Sequence, residues 1–103
     1  MTRNSSHRIK QAEMEVKEIL QFQIPTSTAS FSASNQGVWF LKNQGNKSIF
    51  LNILGNTATS LDLELSAGDS LDTEMFLNVS QTVQMIANEA TQTVSGWVYN
   101  YTN

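Results

Sequence analysis

The chain has 103 residues, no cysteine, one histidine and a net charge of −3. Without cysteine it has neither a disulfide framework nor a thiolate metal site, and a lone histidine offers little for nucleophilic catalysis. After residue 25 the only cations are Lys42 and Lys47, against Asp62, Glu64, Asp69, Asp72, Glu74 and Glu89. That balance lacks the clustered Lys and Arg that phosphate binding requires, so no nucleic-acid partner is expected.

The pattern changes at Pro25. Before it, Ile9, Ala12, Val16, Ile19 and Leu20 follow the i, i+3, i+4 spacing of an amphipathic helix over residues 6–21. Ser5 or Ser6 can cap the start, and Glu13 and Lys17 form an oriented i, i+4 pair. Pro25 forces Ile24 into extended geometry, so this helix ends by about Gln23. The expected organisation is therefore an N-terminal helical arm, residues 1–25, and a β-body, residues 26–103. A helix of this length is marginal alone, and its apolar stripe needs a surface to cover it. The cover is either the chain's own body or a neighbouring subunit. In the second case Ile9, Ala12, Val16, Ile19 and Leu20 are partner-binding residues.

The body reads as short strands between polar turns. Val38–Lys42, Ser48–Leu54, Ser60–Leu65, Met75–Val79, Thr82–Ala87 and Thr91–Tyr101 carry the strand pattern. Turns are marked by Asn35-Gln36-Gly37, Asn43-Gln44-Gly45-Asn46, Gly55-Asn56, Ala67-Gly68-Asp69 and Ala87-Asn88-Glu89. Gly68 is expected to hold positive φ. In Leu61-Asp62-Leu63-Glu64-Leu65 the alternation predicts leucines facing in and carboxylates facing water. The fold class expected is mainly β: a small antiparallel β-sandwich, jelly-roll-like. Two strands, Val38-Trp39-Phe40-Leu41 and Ile49-Phe50-Leu51, are apolar on both faces, where one face of a small sandwich is normally wet. Their second face calls for cover from a subunit or from within the chain.

Sites of chemistry are sparse. His7 stands alone. Asp69, Asp72 and Glu74 cluster near a Gly turn without the spacing of a calcium loop and read as an acidic surface turn. There is no Gly-rich phosphate loop and no nucleophile elbow. No enzyme activity, metal or cofactor is expected. Residues 1–20 contain no apolar core of a secretory signal, and no apolar run approaches the ~20 residues of a bilayer span, so no membrane partner is expected. On the last strand Trp97, Tyr99 and Tyr101 share one face, with Val98 on the other. Such aromatics serve as core, as subunit interface, or as a platform for sugar rings.

Three stretches carry a resemblance: Val38-Trp39-Phe40-Leu41-Lys42-Asn43-Gln44-Gly45-Asn46-Lys47-Ser48-Ile49-Phe50-Leu51, then Leu65-Ser66-Ala67-Gly68-Asp69-Ser70-Leu71, then Gln81-Thr82-Val83-Gln84-Met85-Ile86-Ala87. Together they resemble small β-sandwich modules of tailed-phage virions. The resemblance implies a structural role as a capsid cement (decoration) protein or a head or tail fibre module, commonly trimeric. It implies a partner among the major capsid or other virion proteins, and a location in the virion after synthesis in the host cytoplasm. The alternative is a carbohydrate- or receptor-binding module of a fibre, acting through the Trp97, Tyr99 and Tyr101 face.

Overall fold

Leu20-Gln21-Phe22-Gln23-Ile24 alternates apolar with polar, the period of a half-buried strand. In the computed structural model, which describes residues 13–102, this segment is extended and forms the end of β1 (Glu13–Ile24). Seven further strands follow: β2 (Ala29–Phe31), β3 (Gly37–Asn43), β4 (Ile49–Asn52), β5 (Leu63–Leu65), β6 (Ser70–Leu77), β7 (Val83–Ala87) and β8 (Gln92–Thr102). They make two four-stranded antiparallel sheets, ordered β1-β8-β3-β6 and β2-β7-β4-β5. The chain crosses between sheets after every strand except β4, whose neighbour β5 follows directly. The expected antiparallel sandwich is thus observed.

The expected helical arm is not. Over residues 13–24 the chain is a strand paired along the length of β8, from Glu13 opposite Thr102 to Ile24 opposite Gln92. Residues 6–12 of the expected helix lie outside the described residues. Lys17 is the extra residue of a bulge between Val16 and Glu18. A bulge shifts the face on which later side chains fall. Val16 and Ile19, three residues apart, consequently stand on the same side of the sheet, as they would on a helix. Leu20, Phe22 and Ile24 then point inward. β1 belongs to the same sheet as β3 and β8.

Between the sheets lie Leu20, Ile24, Trp39, Leu41, Ile49, Leu51, Leu65, Leu77, Val83, Met85, Val94 and Val98. Phe22 packs beside this core, its ring 4.9 Å from Phe31 and 5.8 Å from Trp39. Of the segment Leu61–Leu65, only Leu65 is buried; Leu63 stands on the same inner side, opposite Leu51, but is left uncovered, and Leu61 lies outside the strand and is exposed, contrary to the alternation expected there. The regular strand begins only at Leu63. The two doubly apolar strands also differ. Phe50, on the outer face of β4, is buried and shares a cleft with Ala58 and Ile86. The segment after β4 reaches back to β2, where the Ala58 N–H donates to Thr28 Oγ1 at 3.2 Å. Cover for β4 thus comes from within the chain. On β3, Phe40 remains half-exposed.

One corner of the sandwich is tied by buried polar groups. Asn43 is fully buried; its Nδ2 donates to Lys47 O (2.7 Å) and Leu65 O (3.0 Å), and its Oδ1 accepts from the Gly45 N–H (2.9 Å). Its main chain meets the following turn, donating to Asp69 O and accepting from the Gly68 N–H, both at 2.9 Å. Gly68 has the expected positive φ, 81°, at the third position of the Ser66–Asp69 turn. Gln92, also buried, accepts from the Lys47 N–H at 3.0 Å and donates to Ala90 O and Thr91 O. Each of these side-chain atoms is satisfied, as buried polar groups must be.

Two outcomes follow from this architecture. Asn43→Ala removes three hydrogen bonds, leaving the buried Leu65 carbonyl and the part-buried Lys47 carbonyl and Gly45 N–H without this partner, and is expected to lower stability by roughly 2–4 kcal/mol; a chemical-denaturation midpoint equal to that of the wild type would contradict this. Removing residues 1–23 strips Leu20 and Phe22 from the core and bares the edge of β8. The truncated chain is expected to lose its β-type circular dichroism rather than persist as a folded body.

Candidate functional site

The register of the first sheet places its outward side chains in rows running β1 to β6. One row is Gln21, Ser95, Lys42 and Ser70. The next is Ile19, Trp97, Phe40 and Asp72. Beyond it lie Val16, Tyr99, Val38 and Phe76, and then Met14 beside Tyr101. The face is polar at one end, where Gln23 and Thr93 exchange hydrogen bonds and the Gln44 amide donates to Ser95 Oγ at 2.8 Å. It becomes apolar at the other.

Trp97 and Phe40 stack, with ring centres 4.6 Å apart and planes 20° from parallel. Tyr99 lies low across β3, 5% exposed, and its hydroxyl donates to Asp72 Oδ2 on β6 at 2.7 Å. The hydrogen bond to the Asp72 carboxylate, then burial and the charge of that carboxylate, push the Tyr99 phenol far above its usual range. Tyr99 is therefore a neutral donor at any physiological pH. Tyr101 meets Tyr99 edge-on, with centroids 5.7 Å apart. Around these rings Met14, Val16, Ile19, Phe76 and Tyr101 are open to water, Ile19 at 72%.

A depression of about 490 Å³ lies between Ile19, Trp97 and Phe40, bounded at its polar end by Lys42, Gln44 and Ser95. Gly96 lines it as well. A Cβ at Gly96 would fall 1.8 Å from Phe40 O, so β8 and β3 approach here in a way that only glycine permits. Among the described residues no group of three His, Asp or Glu side chains is placed to hold a metal ion. Asp72, singled out with Asp69 and Glu74 as an acidic turn, instead holds Tyr99. Glu74 occupies a bulge opposite β3 at φ 53°, its N–H donating to Asp72 Oδ1.

Of the residues predicted to bind a partner, Val16 and Ile19 reach this face. Leu20 does not: it is 2% exposed in the core, because the strand that replaces the helix turns it inward. Ile9 and Ala12 lie outside the described residues. Trp97, Tyr99 and Tyr101 share the face, as their spacing predicted. Sequence reasoning did not place Met14, Val38, Phe40 and Phe76 with them. The surplus apolar side of Val38-Trp39-Phe40-Leu41 was the signal for two of the four. No known family model, curated protein or solved structure matches this chain.

The bulge also positions Glu18, which lies on the inner side of β1 at the open end of the sandwich. Its carboxylate accepts from the Ser34 N–H (3.2 Å), the Asn35 N–H (2.8 Å) and the Asn35 side-chain amide (3.1 Å). Burial by itself raises the Glu18 carboxyl; these hydrogen bonds outweigh it and hold the group below its ordinary value. A carboxylate with a depressed folded pKa adds stability above its unfolded pKa and loses it as pH falls through the folded one. Glu18→Gln is therefore expected to be less stable than wild type above about pH 5, with the difference closing at lower pH. Thermal melts of both proteins across this range check the sign; a gap that widens on acidification would refute it.

Proposed function

We propose that this chain is a structural assembly protein that associates through the outer face of its first sheet. The observation carrying the reading is the apolar row system around Trp97 and Phe40, with Met14, Val16, Ile19, Phe76 and Tyr101 all open to water on one side of the sandwich. Contiguous exposed apolar surface of this kind characterises interaction sites. Aromatic residues at its centre are the type that anchors protein interfaces.

The face, rather than the sheet edge, is the docking element. β1 is an edge strand, but it carries a bulge at Lys17 and the charges Glu13, Glu15, Lys17 and Glu18. Bulges and charges are the devices by which edges resist strand addition. Lys17 and Glu15 pair at 3.1 Å on that edge, which contributes little stability but keeps it hydrated.

The specific form we infer is a virion protein of a tailed phage, most simply a capsid cement protein forming a homotrimer and docking on the major capsid protein. Support comes from the resemblance of residues 38–51, 65–71 and 81–87 to phage sandwich modules. We also read the strand order, 1-8-3-6 over 2-7-4-5, as an eight-stranded jelly roll, an architecture found in viral coat and lectin domains. The same order suits the alternative, a fibre module that binds carbohydrate on the Trp97, Tyr99 and Tyr101 face. Fold analogy does not choose between them. The open apolar side chains favour protein, since Ile19, Val16 and Met14 offer a sugar no hydrogen bonds.

The expected outcome is an oligomer in solution by light scattering at micromolar concentration. Ile19→Asp places a charge at the centre of the contact and is expected to weaken association at least tenfold while leaving the melting temperature near wild type, because Ile19 contributes little to the core. A folded wild-type monomer would remove the assembly reading. Loss of co-sedimentation of Ile19→Asp with particles lacking the protein, against retention of the wild type, would support the virion form.

A further inference from the structure

The depression beside Trp97 has two ends of different chemistry. Its walls are Ile19, Phe40 and Trp97, and the Gly96 main chain lines it as well. The Trp97 and Phe40 rings stack on each other 4.6 Å apart, which braces both. At the other end stand Lys42 and Ser95, neighbours across β3 and β8 on the outer side of the sheet. The Lys42 ammonium makes no ion pair among the described residues. The Ser95 hydroxyl accepts from the Gln44 amide at 2.8 Å and so keeps its own hydrogen to donate. No acid lines the depression. Asp72 follows Phe40 in its row, but its carboxylate is engaged by the Tyr99 hydroxyl and the Glu74 N–H.

The volume, about 490 Å³, lies in the range of small-molecule sites, which are typically apolar with a few placed polar groups. The polar groups on offer are one cation and one hydroxyl donor. An uncharged sugar leaves the cation unmatched, and a phosphate dianion calls for more than one cation. A monoanion joined to an apolar body uses both ends. We propose that the depression is a binding site for a small amphiphilic carboxylate, its apolar part against Ile19, Trp97 and Phe40 and its carboxylate on the Lys42 ammonium and the Ser95 O–H. This goes beyond the assembly reading and does not rest on it. The apolar contact supplies most of the affinity. Lys42 supplies a charge-assisted hydrogen bond that fixes the orientation and selects the head group.

The test is a titration of the protein with decanoate, decanol and decyltrimethylammonium, which share a tail and differ in head group, followed by tryptophan fluorescence. Trp39 is 1% exposed in the core, so the response reports Trp97. Decanoate is expected to bind roughly tenfold tighter than decanol, the size of one hydrogen bond to a charged group, and decyltrimethylammonium no better than decanol. Lys42→Gln is expected to erase the preference for decanoate over decanol, and Ile19→Ser to weaken both alike. Both side chains are exposed, so the variants keep their core, which circular dichroism checks. A response that does not saturate, equal affinity for decanoate and decanol, or a preference that survives Lys42→Gln would overturn the site. Light scattering on the same samples keeps the two readings apart. A monomer that binds decanoate removes the assembly reading and keeps this one; an oligomer that does not bind it does the reverse.

Discussion

The pairing of β1 with β8 is the constraint on which the rest of the molecule depends. It joins Glu13 to Thr102 and Ile24 to Gln92, segments nearly a chain length apart, so the loop-closure entropy is met only when the whole sandwich assembles. It covers one side of the core with Leu20, Phe22 and Ile24. It gives β8 hydrogen-bonded partners on both sides, since β3 occupies the other edge. It also brings Met14, Val16 and Ile19 beside Tyr101, Tyr99 and Trp97, and so assembles the outer face from two ends of the chain. A fold dominated by such distant pairings is expected to form slowly and cooperatively rather than from a local nucleus.

Around this pairing the sandwich divides its polar work. At one end Asn43 and Gln92 satisfy main-chain groups of three connecting segments, β3–β4, β5–β6 and β7–β8, where a missing partner would be costly. At the other end Glu18 closes the mouth by gathering the N–H groups of the β2–β3 turn. Between these ends the interior is apolar. The outer face of the first sheet follows the same gradient, from Gln23, Gln21 and Lys42 to Val16, Val38 and Tyr101. Lys42 stands at the boundary between the polar and apolar parts.

The bulge at Lys17 links fold to surface. Without the extra residue, strict alternation would put Val16 and Ile19 on opposite faces of β1. With it, Val16 and Ile19 both look outward, while Glu18 turns to the mouth and Leu20 to the core. The same residue interrupts the free edge of the strand. One inserted position thus helps build the apolar face, sets the carboxylate clamp and blunts the edge against addition of another strand.

The sequence by itself determined the β-class of the body, most of its strands and turns, the positive φ of Gly68, and the shared face of Trp97, Tyr99 and Tyr101. These follow from local alternation and turn chemistry, which act over a few residues. Tertiary structure alone decided the state of residues 13–24. Their i, i+3, i+4 spacing was written by a strand with a bulge, and no local rule separates that from a helix; only β8, lying alongside, makes the extended form the lower in free energy. Leu20-Gln21-Phe22-Gln23-Ile24 held a strand signal, and the longer helical pattern overrode it. The fates of Leu61 and Leu63 were likewise decided by where β5 ends and where the sandwich opens. Phe40 joined the outer face because β3 lies beside β8, and Phe50 was covered because the segment after β4 folds back to β2. Burial belongs to neighbours, and neighbours distant in sequence are supplied by topology.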